Sequence, residues 1–70
     1  HQLAALTVDV PSEGLRSGDV GTVVHVYEGG RGYEVEFVGL AGDTIAVVTL
    51  RASDVRPIGP REVAQARAVA

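Results

Sequence analysis

Apolar residues return at every second position in four separate runs of this chain, the period of a pleated strand with one face turned to a core. Leu3 to Val10 is predicted as the first strand, with Leu6, Val8 and Val10 on one face and Thr7 and Asp9 on the other. Pro11, with its fixed φ and no amide donor, ends it. Asp19 to Tyr27 carries the longest strand signal, and both of its faces are apolar: Val20, Thr22, Val24 and Val26 against Gly21, Val23, His25 and Tyr27. Such a strand is either central in a curled sheet or exposes one face to a partner. Gly21 inside the run is read as a bulge or sharp bend, the corner of a small barrel.

The third run alternates most cleanly, with Tyr33, Val35 and Phe37 facing inward and Glu34 and Glu36 facing water. Thr44 to Leu50 follows, again apolar on both sides through Ile45, Val47 and Thr49 against Ala46, Val48 and Leu50. Arg51 to Asp54 reads as a short 3₁₀ turn, and Val55-Arg56 as a brief closing strand ended by Pro57. Between these runs lie a loop from Pro11 to Gly18, a glycine hairpin turn at Glu28 to Gly32 and a second turn at Gly39 to Asp43. Leu15, alone among polar and glycine neighbours, is expected to anchor the first loop against the core. The predicted fold is all-β, a five-stranded SH3-like barrel over residues 3–57, with a tail over residues 58–70. In that tail Gly59-Pro60 breaks the chain, and Arg61 to Ala70 is rich in helix formers. A short C-terminal helix is expected there, its stripe of Val63, Ala66 and Val69 docking on its own barrel or on a neighbouring subunit.

Composition narrows the reading. Seventy residues make one domain, at a size where small folds often need a staple. The chain has no cysteine, so disulfides and cysteine-based zinc sites are excluded and oligomerisation is the remaining staple. With 46% hydrophobic but only 4% aromatic residues, the core is aliphatic. A net charge of −3, six arginines and no lysine weigh against a nucleic-acid binder, which would show a basic face. No membrane span or signal segment is read, and the expected setting is soluble and cytoplasmic. His1 is read as a tag remnant or trimmed start.

The chemistry-bearing residues are few. Glu34 and Glu36 at spacing two are read as a solvated strand face, since nothing beside them would push their pKa values apart. His25 lacks the converging partners a metal ligand needs, and Ser12, Ser17 and Ser53 sit in turns, where serine bonds local backbone. The glycine turn at Glu28 to Gly32 leads into a strand rather than a helix and has no lysine beside it, which weighs against a phosphate loop. No catalytic, cofactor or metal residues are assigned, and the expectation is a non-enzymatic protein.

Asp9-Val10-Pro11, Gly14-Leu15, Gly18-Asp19-Val20-Gly21-Thr22-Val23-Val24-His25-Val26-Tyr27, Tyr33 to Phe37, Thr44 to Leu50 and Val55-Arg56-Pro57 together resemble a bacterial domain-of-unknown-function family of small SH3-like proteins. The resemblance covers about residues 3–57 and implies an accessory or interaction role, as for proteins encoded near mobile elements or toxin–antitoxin loci. The Gly-Asp-x-Gly-Thr-Val segment is also similar to the opening of KOW domains and of the nitrile hydratase β-subunit, in shared barrel construction. The functional expectation is a protein-interaction or self-association module. Its contact candidates are Leu15, Arg16, Tyr27, Tyr33, Val63, Ala66 and Val69, chosen because Tyr and Arg dominate interface hot spots and because the tail needs a surface. The alternative is a KOW-type nucleic-acid binder in which Arg16, Arg31, Arg51 and Arg56 converge and Tyr27 or Tyr33 stacks on bases.

Overall fold

The computed structural model describes residues 2–69. Five antiparallel strands form one open sheet in the order β4-β3-β2-β1-β5. They are β1 (Leu3–Leu6), β2 (Val20–Val26), β3 (Gly32–Val38), β4 (Thr44–Arg51) and β5 (Val55–Pro57). The sheet curls, because Leu6 on β1 and Leu50 on β4, with two strands between them, share one core with Leu15, Val35, Phe37 and Ala46.

The first strand is shorter than its apolar pattern suggests. It ends at Leu6, where Val55 begins β5; Thr7 is tied to the 3₁₀ turn before β5 instead, donating its N–H to the Asp54 carbonyl at 2.8 Å and its hydroxyl to the Ser53 carbonyl at 2.9 Å. Val8 is therefore exposed, and Val10 instead makes an isolated bridge to Leu15 through a pair of backbone hydrogen bonds of 2.9 and 3.1 Å. Between them Pro11–Glu13 forms a 3₁₀ turn, and Leu15 is buried as the expected anchor. The strand closed in on both faces is β1, whose Ala4 and Ala5 are both buried between β2 and β5, whereas Val24 and Val26 of β2 are exposed.

Gly21 is not the bend. The register shift in the β2–β3 ladder falls between Val23 and His25, so Val24 is the extra residue. What Gly21 supplies is close approach: a Cβ there would sit 2.6 Å from a Val35 methyl and 2.9 Å from the Glu36 carbonyl oxygen. The β2–β3 hairpin runs through Gly29 and Gly30 at φ of +75° and +66°, the left-handed backbone for which glycine is suited. At the other hairpin a second shift between Phe37 and Val38 leaves Ile45 outside the β3–β4 pairing. Before β5, the buried Asp54 carboxylate accepts the Arg51 backbone N–H at 3.2 Å and caps the 3₁₀ turn Ala52–Asp54.

The C-terminal helix expected over the tail does not form among the described residues. After a turn at Pro60 and Arg61 the chain runs on irregularly through Val69. A ten-residue helix is marginal in water even with good formers, and this one would need its weak aliphatic stripe to offset nucleation. Discrete polar contacts hold the tail instead. Glu62 accepts the Gly59 N–H at 2.7 Å and pairs with Arg56 of β5 at 2.8 Å, and Arg67 pairs with Asp19. No helix among the described residues is long and apolar enough to cross a membrane.

Candidate interaction groove

The first loop, the start of β2 and the β3–β4 hairpin surround an apolar groove of about 520 Å³, a volume in the range of ligand sites. Leu15 and Phe37 belong to both the core and the groove lining, so the groove is an outward extension of the core. Val20, Val38 and Ile45 line it further, and Leu40, 97% exposed on the hairpin, stands at its rim. Ile45 reaches this place through the β3–β4 bulge, which takes it out of the alternation and re-aims its side chain, as bulges do beside sites.

One carboxylate marks the groove. Asp19 is held by the Arg16 backbone N–H at 2.8 Å and forms a two-pronged ion pair with Arg67, whose Nε reaches Asp19 Oδ1 at 2.8 Å while Nη2 meets Oδ2. Arg67 Nη2 also donates to the Gly14 carbonyl at 3.0 Å. The hydrogen bond from Arg67 is the main reason that the Asp19 carboxyl lies below the ordinary carboxylate value, with burial opposing it. Val69 lies over Gly14, its Cγ1 3.6 Å from where a Cβ would stand. Ala64 and Gln65 line this groove and also a smaller cavity of about 260 Å³ beside Leu3, Ala5 and Ile58, so the tail is the wall between the two.

The expected contact residues divide. Leu15, Ala66 and Val69 come together in the groove; Arg16 is exposed at its edge and engages it through its backbone. Val63 is 94% exposed and lines only the smaller cavity, so the proposed Val63, Ala66 and Val69 stripe does not exist as one face. Tyr27 and Tyr33 lie at the opposite end of β2. Tyr33 packs against the core, while Tyr27 is exposed and stacks edge-on against His25, with ring centroids 4.7 Å apart. Nothing in the sequence singles out Asp19 and Arg67: Asp19 only opens the second strand run, and the pair is separated by 48 residues.

Glu34 and Glu36 are less bare than their alternation implies. Glu34 accepts the Tyr27 hydroxyl at 3.1 Å and the Thr49 hydroxyl, and Glu36 accepts the Thr44 hydroxyl at 2.7 Å. The bond to Glu34 is the first cause of a raised Tyr27 pKa. The four arginines of the nucleic-acid reading are spread out. Arg31 and Arg51 neighbour one another where Gly32 pairs with Arg51, Arg56 sits on β5 opposite Ala5, and Arg16 lies in the first loop. Arg51 and Arg56 are paired with Asp54 and Glu62. No group of three or more His, Asp or Glu among the described residues converges on a metal position.

A small all-β chain with one curled sheet and an apolar groove at its edge is the class defined by this geometry. The chain belongs to the family described as a domain of unknown function (DUF4926), whose model matches residues 1–57, so the match ends at β5 and the tail lies outside it. No curated protein and no solved structure matches the chain.

Proposed function

We propose that the protein is a non-enzymatic interaction module, an SH3-like barrel whose groove between the first loop and the β3–β4 hairpin takes an extended segment of another protein. The observation that carries this reading is the wall the tail adds. The apolar surface of Leu15, Val20, Phe37 and Ile45 faces irregular chain from outside the family span across about 520 Å³ of open space, room for a further segment. An extended segment suits it because a strand-like ligand offers alternate side chains to pockets along its length. The setting that goes with the reading is a bacterial, cytoplasmic accessory protein, as at a mobile-element or toxin–antitoxin-like locus, and a second copy of the chain is one partner the groove would take. The nucleic-acid alternative has less support, because Arg51 and Arg56 already serve acidic partners and the chain is net acidic.

The test is a random-peptide display selection on the full chain carrying Arg67→Ala, followed by methyl NMR mapping of the enriched peptides. Shifts at Leu15, Val20 and Ile45 are expected. Failure to enrich any peptide, or shifts confined to the Tyr27 end of β2, would refute the groove as the binding surface. A heparin column at low salt runs beside it; retention there would favour the nucleic-acid reading.

A further inference from the structure

Tail residues 64–69 carry no apparent load in the fold. The sheet is complete at Pro57, and among the described residues none of these six joins a strand ladder. What the tail has instead are side-chain contacts of the kind a bound peptide makes. Arg67 puts a planar fork on both Asp19 oxygens, with a further bond to the Gly14 carbonyl. Two residues on, Val69 packs over Gly14, where φ is +69° and a side chain would both strain the backbone and meet the valine. Ala64 and Ala66, both exposed, line the open groove between these points and the hairpin with small side chains.

We infer that residues 64–69 are a resident ligand of the Asp19–Gly14 end of the groove, and that the external partner the groove fits is an extended segment bearing an arginine two residues before an aliphatic side chain. This rests on the interaction-module reading. The groove supplies the complement to each feature: Asp19 for the arginine, the bare Gly14 for the aliphatic group, and the Leu15, Phe37 and Ile45 surface for small residues ahead of them. Tethering keeps the tail at an effective concentration on the order of millimolar, so an external segment binds only by displacing it. The tail thereby sets a threshold that weak partners do not cross.

The experiment uses the full chain and a fluorescein-labelled synthetic peptide with the sequence of residues 60–69. Arg67→Ala in the protein is expected to tighten peptide binding by about tenfold or more, since the competing segment is released. It should also drop the heteronuclear NOE of residues 64–69 to the level of free chain. Arg67→Ala within the peptide, with Arg61 kept, should weaken binding to that variant by at least about tenfold, the scale of a lost charge-assisted pair. Asp19→Asn, which keeps an acceptor for the Arg16 N–H and removes the charge, should do the same, and Asp19→Arg should prefer a peptide with Glu in place of the arginine. Equal binding by wild type and Arg67→Ala, or an unchanged NOE for the tail, would overturn the inference. Display peptides that fill the groove without an arginine and ignore the charge at Asp19 would also overturn it, yet leave the module reading standing.

Discussion

Gly21→Ala sets two effects of known size against each other. Gly21 is buried on β2 opposite Ala4 of β1, and its φ is not in the left-handed region, so alanine's backbone is allowed there. On conformational entropy alone the change would stabilise by about 0.4–1 kcal/mol, by restricting the unfolded chain. Packing opposes it. The new Cβ would stand 2.6 Å from Val35 Cγ1, 2.9 Å from the Glu36 carbonyl and 3.0 Å from Phe37 Cδ1, about 1 Å inside a comfortable carbon contact for the first. Val35 is fully buried and stiff at χ1, and the Glu36 carbonyl belongs to backbone, so neither yields cheaply. Overpacking costs about 1–3 kcal/mol, and three contacts at or inside 3.0 Å place this one in the upper half, about 2–3, which leaves a net loss of about 1–2.6 kcal/mol. Unfolding entropy near 2.1 cal/mol/K per residue gives about 0.15 kcal/mol/K for this length, so Tm should fall by roughly 7–17 °C. Thermal and urea unfolding followed by circular dichroism measures it. Gly21→Ala/Val35→Ala should lose less than the sum of the single changes, by about 0.5–2 kcal/mol, because one clash is gone while the carbonyl remains. A neutral or stabilising Gly21→Ala would refute the close approach of β2 and β3 at this point.

Leu15→Ala removes a buried anchor shared by core and groove; a loss of about 2–5 kcal/mol in urea unfolding is expected, against near-neutral behaviour for the exposed Val8→Ala. Acid should release the tail. The folded carboxyls of Asp19 and Glu62 lie below their ordinary values of 3.8 and 4.5, held there chiefly by Arg67 and Arg56. Their contribution is therefore complete above those values and lost as pH falls through the lower folded ones. Amide exchange or NOE measured on residues 62–69 below pH 4 reads it, and a tail equally ordered at pH 2 would contradict the ion-pair account. Tyr27 should titrate above its ordinary value of 10, because Glu34 accepts its proton, and Glu34→Gln should bring the tyrosinate absorbance step back down. The stability tied to this bond is complete below pH 10 and disappears as pH rises through the folded value.

Strand identity was legible because it is local. Period-two alternation placed Val35 and Phe37 in the core, and glycine pairs located the β2–β3 turn, while the fourth run, apolar on both sides, did not show that its Ala46 and Leu50 face is the buried one. Bulges were not, since the shifts at Val24 and Ile45 depend on which partner residue each strand meets. For the same reason β1 looked longer and less central than it is: Ala4 and Ala5 are small enough for neighbours to close on both faces, a property no hydropathy pattern displays. Tyr27 and Tyr33 looked equivalent across their hairpin, and the Val24 bulge is what sends one to the outer face and the other to the core.

The tail shows why propensity misled most at the groove. As a helix, the nine residues 61–69 would rise about 13 Å, whereas extended chain of that length reaches about 30 Å. The contacts actually made begin at Arg56 on β5, pass Val20 on β2 and end against the first loop and the β3–β4 hairpin. Crossing from β5 over β1 and β2 to β3 is three inter-strand gaps, about 14 Å, before any distance along the strands is covered. A helix would be spent on the crossing, and its aliphatic stripe would meet the sheet where Arg67 is needed at Asp19. The irregular path gives up a helix's internal hydrogen bonds and reaches both the carboxylate and Gly14. Long-range charge pairing thus selects a conformation that the tail's own alanines disfavour.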